Sequence, residues 1–111
     1  MDNKKDDGYY LSKILDDLHF LIEHANGKSY GEVESDPVLI DCIMFRLVQI
    51  AKNSDKLTPE FKGKHKGIPW RELKGMRNRI VHDYGFIDLT IIYDTVMNGI
   101  PQMYLMLKNL S

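Results

Sequence analysis

Between Gly75 and Tyr84 the chain reads Gly75-Met76-Arg77-Asn78-Arg79-Ile80-Val81-His82-Asp83-Tyr84. A fixed cation, an amide, an imidazole and a phenol fall within a short stretch. Histidine is the residue type whose unperturbed pKa lies near neutrality, so His82 can give or take a proton. Arg77 is a planar cation suited to gripping a phosphate. Metal-independent cleavage of an RNA phosphodiester needs these pieces. The 2'-hydroxyl must lose a proton as it attacks phosphorus, and the leaving 5'-oxygen must gain one. Charge builds on the phosphoryl oxygens, where Arg77 is the natural stabiliser. Asn78 can orient a phosphate or the imidazole. The same residues also read as an ordinary basic helix end. On that reading His82 is a charge partner for the helix C-terminus, Arg77 and Arg79 are surface cations, and Tyr84 packs with a wet hydroxyl.

Geometry favours a particular arrangement. A helical residue turns about 100°, so Asn78 and His82, four apart, share a face. Arg77 and His82, five apart, point roughly 140° away from each other. One straight helix aims them in different directions. Two copies facing across a two-fold axis can place Arg77 of one chain near His82 of the other, and the paired histidines can then divide the acid and base roles.

The elements that must position this segment are helical by pattern. Leu11, Ile14, Leu15, Leu18, Ile22 and Ala25 fall at three- and four-residue intervals, with Gly27 as a stop. Residues 28–34 read as a polar loop. Ser35-Asp36-Pro37 is a helix start, and the helix to Asn53 carries Ile40, Ile43, Met44, Leu47, Ile50 and Ala51 on one side. Phe45 and Val48 widen that side, so this helix is expected to be central or to meet a partner subunit. Thr58-Pro59-Glu60 opens a short turn, and residues 62–67 read as basic loop. Pro69 opens a further helix with Trp70, Leu73, Met76, Ile80 and Val81 as its apolar positions, broken at Gly85. Asp88 caps the next, and Pro101 is expected to kink or split the chain beyond it. No segment alternates like a half-exposed strand. The fold expected is an all-α bundle of four to five helices, one domain over residues 1–111.

Composition narrows the setting. Hydrophobic residues make up 43% and charged residues 28%, the balance of a globular protein. There is no run of about 18 apolar residues, so no membrane span is expected. The N-terminus, Met1-Asp2-Asn3-Lys4-Lys5-Asp6-Asp7, lacks the apolar stretch of a signal peptide, and Cys42 is the single cysteine. A cytoplasmic protein is expected. His19, His24 and His65 are scattered and no cluster has ligand spacing, so neither a metal nor a cofactor is expected. Asp6-Asp7 and Asp16-Asp17 read as solvated helix charge. Net charge is -1 but unevenly spread. Residues 1–41 carry ten Asp/Glu against four Lys, whereas residues 42–111 carry eleven Lys/Arg against six Asp/Glu. The basic excess gathers at Lys62, Lys64, Lys66, Arg71, Lys74, Arg77 and Arg79, which points to a polyanionic partner.

The string Ile68-Pro69-Trp70-Arg71-Glu72-Leu73-Lys74-Gly75-Met76-Arg77-Asn78-Arg79-Ile80-Val81-His82-Asp83-Tyr84 resembles the signature segment of HepT-like proteins, small helical members of the HEPN superfamily. The resemblance extends through Gln49-Ile50-Ala51, Ser54-Asp55-Lys56-Leu57 and the helix from Asp88 to Ile100-Pro101. It implies a HEPN-type homodimer with the active site at the subunit interface. It implies an endoribonuclease with Arg77 and His82 catalytic and Asn78 beside them, in an Arg-x4-His motif. It further implies the toxin of a type VII-like toxin–antitoxin module acting on RNA, with tRNA a leading substrate class. The antitoxin would be an MntA-like minimal nucleotidyltransferase that transfers AMP from ATP to Tyr84. The alternative is a non-catalytic nucleotide-binding module or partner subunit of such a transferase. One departure stands out: relatives often carry an acidic residue near the middle of the second helix, and here that vicinity holds Lys52.

Overall fold

Asp6 starts the first helix: its carboxylate accepts from the Tyr9 backbone N–H at 3.0 Å, satisfying one of the donors a helix start leaves free. In the computed structural model, which describes residues 5–110, that helix is α1 (Asp7–Ala25). The expectation for the N-terminal segment lies in part, over residues 1–4, outside the described residues. Leu11, Ile14, Leu18, Leu21 and Ala25 form the buried stripe of α1. Gly27 ends the turn with φ of 76°, a backbone conformation that a side chain would strain.

The segment read as a polar loop contains a helix, α2 (Tyr30–Glu34). Ser29 and Glu32 form a reciprocal capping box, Ser29 Oγ accepting from the Glu32 N–H and Glu32 Oε1 accepting from the Ser29 N–H. Five residues are too few to show an apolar period, and Val33 alone is buried. The next helix, α3 (Pro37–Asp55), begins as the sequence suggests, with Asp36 accepting from the Leu39 N–H at 3.1 Å and Pro37 in the first turn. Ile43, Met44, Leu47, Ile50 and Ala51 are buried. Helix α3 packs against both α1 and α5 (Trp70–Asp83) and is the central element.

Thr58 caps α4 (Pro59–Lys64), so the basic stretch expected as loop is helical up to Lys64. The α1 start and the α4 start are joined, because the Asp7 carboxylate accepts from Thr58 N–H and Oγ1 at 2.9 and 2.7 Å. Trp70 opens α5 half-buried, its indole N–H donating to the His65 carbonyl at 3.1 Å. Asp88 caps α6 (Leu89–Asp94), which runs through a π turn, Thr95–Gly99, into α7 (Ile100–Leu107). Pro101 therefore does not split the chain. The Ile100 N–H reaches back to the Thr95 carbonyl, and this wider turn absorbs the position where proline offers no donor. The long elements are α1, α3, α5 and the continuous α6–α7, with α2 and α4 as short connectors. The described residues form helices and no strand, the all-α class expected, with four long elements. None of their helices is long and apolar enough to cross a membrane.

One polar contact pins α1 to α3. Asp17, only 8% exposed, receives Arg46 Nη1 at 2.8 Å, and the guanidinium lies 3.8 Å from the centre of the Phe20 ring. Asp17 is therefore not a solvated helix-face charge, whereas Asp16 is exposed. Removing Asp17 leaves the part-buried Arg46 guanidinium without its carboxylate. Asp17→Ala is expected to lower unfolding free energy by about 1–3 kcal/mol, and Asp16→Ala to change it by less than about 0.5 kcal/mol. Urea titration of the two variants checks this. Equal effects would assign the stability to the surface rather than to the pair.

Candidate active site

Only Leu73 and Ile80 are fully buried along α5. They stand seven apart, two turns along one stripe, with Met76 half-buried between them. That narrow apolar stripe is set against α3, so most of the helix circumference is left to polar side chains. Arg77 is half-buried, while Asn78 and His82 are exposed. Arg77 Nη1 donates to Asn78 Oδ1 at 3.0 Å, which fixes the guanidinium against the amide of its own neighbour. No hydrogen bond links His82 to Arg77 or Asn78 among the described residues. Within one chain, Arg77 and Asn78 are brought together by a hydrogen bond; His82 is exposed, on the face it shares with Asn78 and turned away from Arg77 as the helical arithmetic requires.

Tyr84 follows on a 3-10 turn, Tyr84–Phe86, and is 47% exposed. Its hydroxyl donates a hydrogen bond to the Asp41 carboxylate on α3. Sequence patterns do not single out Asp41. It lies in the first half of α3, while Lys52 is exposed near the other end. A single charge among the apolar residues of the first half of α3 is the available signal, but its partner is 43 positions away. The contact also fixes the helix directions: the start of α3 meets the end of α5, so the two run antiparallel. One turn along α3 from Asp41 is Phe45, 59% exposed; one turn before it is Val38, 73% exposed. On α5, Val81 is 51% exposed. Large apolar side chains thus flank the polar groups on both helices.

The hydrogen bond to Asp41, then burial, then the carboxylate charge push the Tyr84 phenol up to about 12. The neutral phenol is favoured in the folded protein. Its contribution to stability is fully present below the ordinary value of 10.0 and is lost as pH rises through the folded value. Among the described residues, no group of three or more His, Cys, Asp or Glu side chains is placed to hold a metal ion.

Asp41 is exposed, so removing its carboxylate should leave the fold intact. Asp41→Ala is expected to bring the Tyr84 titration from about 12 back toward 10.0. Ultraviolet phenolate absorbance, with Tyr84→Phe to identify the signal, measures this. An unchanged titration in Asp41→Ala would mean that burial alone holds the phenol neutral.

Comparison with known proteins places this geometry in a lineage. The family model described as Ribonuclease HepT-like matches residues 14–110. A Caldanaerobacter subterraneus subsp. tengcongensis protein named as a candidate RNase is 35% identical over 101 residues, 91% of this chain and 90% of its own. The probable ribonuclease HepT of Thermococcus cleftensis is 27% identical over 94 residues, 85% of this chain and 86% of its own. A Methanocaldococcus jannaschii protein named as a gamma-glutamylcyclotransferase and candidate RNase is 28% identical over 100 residues. That match covers 90% of this chain but 45% of the longer protein. No solved structure matches the chain. A family match over nearly the whole bundle, joined to a relative of similar length at 35% identity, leads to one conclusion: the chain belongs to the HepT-like ribonuclease family.

Proposed function

We propose that the protein is a metal-independent endoribonuclease that works as a homodimer. The observation that carries this reading is the open polar face of α5 in a chain of this family, with Arg77, Asn78 and His82 all available to a ligand. The exposed Val38, Phe45 and Val81 around them favour a second copy on the same side, because large apolar groups beside a polar site gain from mutual burial. Across such a two-fold seam, Arg77 of one protomer approaches His82 of the other. One imidazole takes the proton of the 2'-hydroxyl, and the partner imidazolium protonates the 5'-oxygen. The products are a 2',3'-cyclic phosphate and a 5'-hydroxyl. Arg77, held by Asn78, offsets the charge on the phosphoryl oxygens. The basic residues from Lys62 to Lys74 draw the RNA backbone in, with tRNA one such substrate.

In the same reading the protein is the toxin of a type VII-like pair, neutralised by a minimal nucleotidyltransferase. The phenolic oxygen of Tyr84 takes the α-phosphoryl group of ATP and pyrophosphate leaves. Asp41, which already accepts the phenolic hydrogen bond, stands where the released proton goes. The added AMP places bulk and negative charge two residues from His82, where it blocks the cleft and repels RNA phosphate.

Loss of His82 should reduce RNA cleavage by about 100-fold or more, and Arg77→Ala by a similar factor. Gel assays on total RNA with purified variants read this; cleavage equal to wild type in both would overturn the ribonuclease reading. Mixing unfolded His82→Ala and Arg77→Ala chains and refolding them together should restore cleavage above either parent. A mixture as inactive as its parents would mean that no shared site is built from one Arg77 and one His82. Co-expression with an adjoining nucleotidyltransferase gene is expected to add the mass of one adenylyl group to Tyr84. Neutralisation with Tyr84 unmodified would instead indicate sequestration.

A further inference from the structure

Beside the polar face of α5 lies a groove of about 260 Å³ between that helix, the 3-10 turn and α6. Met76, Ile91 and Ile92 supply apolar wall, Phe86 lines it as well, and Arg79, Asp83 and Asp88 supply the polar groups, Asp88 being taken up by Thr90. Phe86 is 92% exposed, the most exposed of the large apolar side chains in the described residues. It therefore does nothing for the core, yet the turn that carries it is held at Tyr84 by the bond to Asp41. Arg79 and Asp83 are four apart on one helix, the spacing at which an ion pair ordinarily forms. Here they make none, and neither has a hydrogen bond or ion-pair partner among the described residues. A cation, a carboxylate and an exposed ring thus face one small cleft, each without an intramolecular partner.

We propose that this groove is a nucleotide subsite for single-stranded RNA, next to the cleavage site. The inference rests on the ribonuclease reading and deepens it. Phe86 stacks the face of one unpaired base, Arg79 holds a phosphate of that strand, and Asp83 accepts from an amino group on the base edge. The charges choose the occupant. A bare phosphate would meet the carboxylates of Asp83 and Asp88 as well as Arg79. A base with an exocyclic amine turns a carboxylate into a useful acceptor, the contact cytosine N4 makes with acidic side chains. The aromatic ring is a stacking platform of the kind that single-strand binders use. Asp83 adjoins His82 and Arg79 adjoins Asn78, so the groove opens about 100° around α5 from the proposed catalytic face. A strand crossing the seam reaches both. The subsite predicts a preference for cytosine over uracil at the stacked position.

Fluorescence anisotropy with fluorescein-labelled 2'-O-methyl oligonucleotides, which bind without being cut, tests this on the intact protein. Phe86→Ala is expected to weaken binding of an oligocytidine about 5- to 100-fold, the worth of one stacked base, with Phe86→Tyr close to wild type. Arg79→Ala should reduce the slope of log affinity against log salt by about one contact. Asp83→Asn should erase the preference for oligocytidine over oligouridine. An abasic oligomer should bind wild type and Phe86→Ala alike. Phe86→Ala binding the oligocytidine like wild type would overturn the subsite, and so would an equal loss on the abasic oligomer. Loss of self-association in Phe86→Ala with oligonucleotide affinity unchanged would assign the groove to a second copy and overturn it too. Wild type that binds through Phe86 but leaves cleavable RNA intact would retain the subsite and remove the ribonuclease reading. Cleavage with no role for Phe86 would do the reverse, and wild type that binds no oligonucleotide would remove both.

Discussion

Burial of α3 governs this molecule. Its apolar arc is wider than one neighbour can cover, so it takes α1 on one side and α5 on another. Ile43, Leu47 and Ile50 are essentially without solvent contact, and each such side chain contributes about 1.5–3 kcal/mol relative to exposure. The arc still exceeds what the chain itself covers, which leaves Val38 and Phe45 facing water. Those two residues flank Asp41, so the unfinished part of the hydrophobic surface and the polar contact to Tyr84 lie on the same part of α3.

Helix α5 is the opposite case. Two fully buried residues hold it, and its start has no side-chain cap. Bonds at the two ends make up for this: Trp70 to the His65 carbonyl at one, Tyr84 to Asp41 at the other. A helix bonded at its ends and packed on α3 along one narrow stripe can present Arg77, Asn78 and His82 outward without breaking a core. Those polar groups are free to face a ligand because only one stripe of α5 is needed for the core.

The last third of the chain shapes what lies beside that face. Asp88 sets where α6 begins, through Thr90, and Tyr93 ties α6 to the Lys28 carbonyl at 2.6 Å after α1. Those contacts place Ile91 and Ile92 across from Met76 and Arg79. The groove is therefore a product of how two helices are anchored to distant partners, with its polar groups contributed chiefly by α5.

Local signals reach far in this sequence. The Asp36 and Asp88 caps, the Gly27 stop and the buried stripes of α1 and α3 obey rules that act over three or four residues, and the structure has them. The family is legible because the Pro69 to Tyr84 string carries it whole. What local rules miss is short or distant. Helix α2 is too brief for a period, α4 extends into basic sequence, and the π turn accommodates Pro101 where a kink or split is expected. Asp17 and Asp41 look like solvent charges because nothing near them in sequence reveals Arg46 or Tyr84. The sequence alone determined the long helices α1, α3 and α5 and the identities of the polar groups on α5. Tertiary structure decided which of those groups meet, since a hydrogen bond between positions 43 apart exists only once α3 and α5 have packed antiparallel.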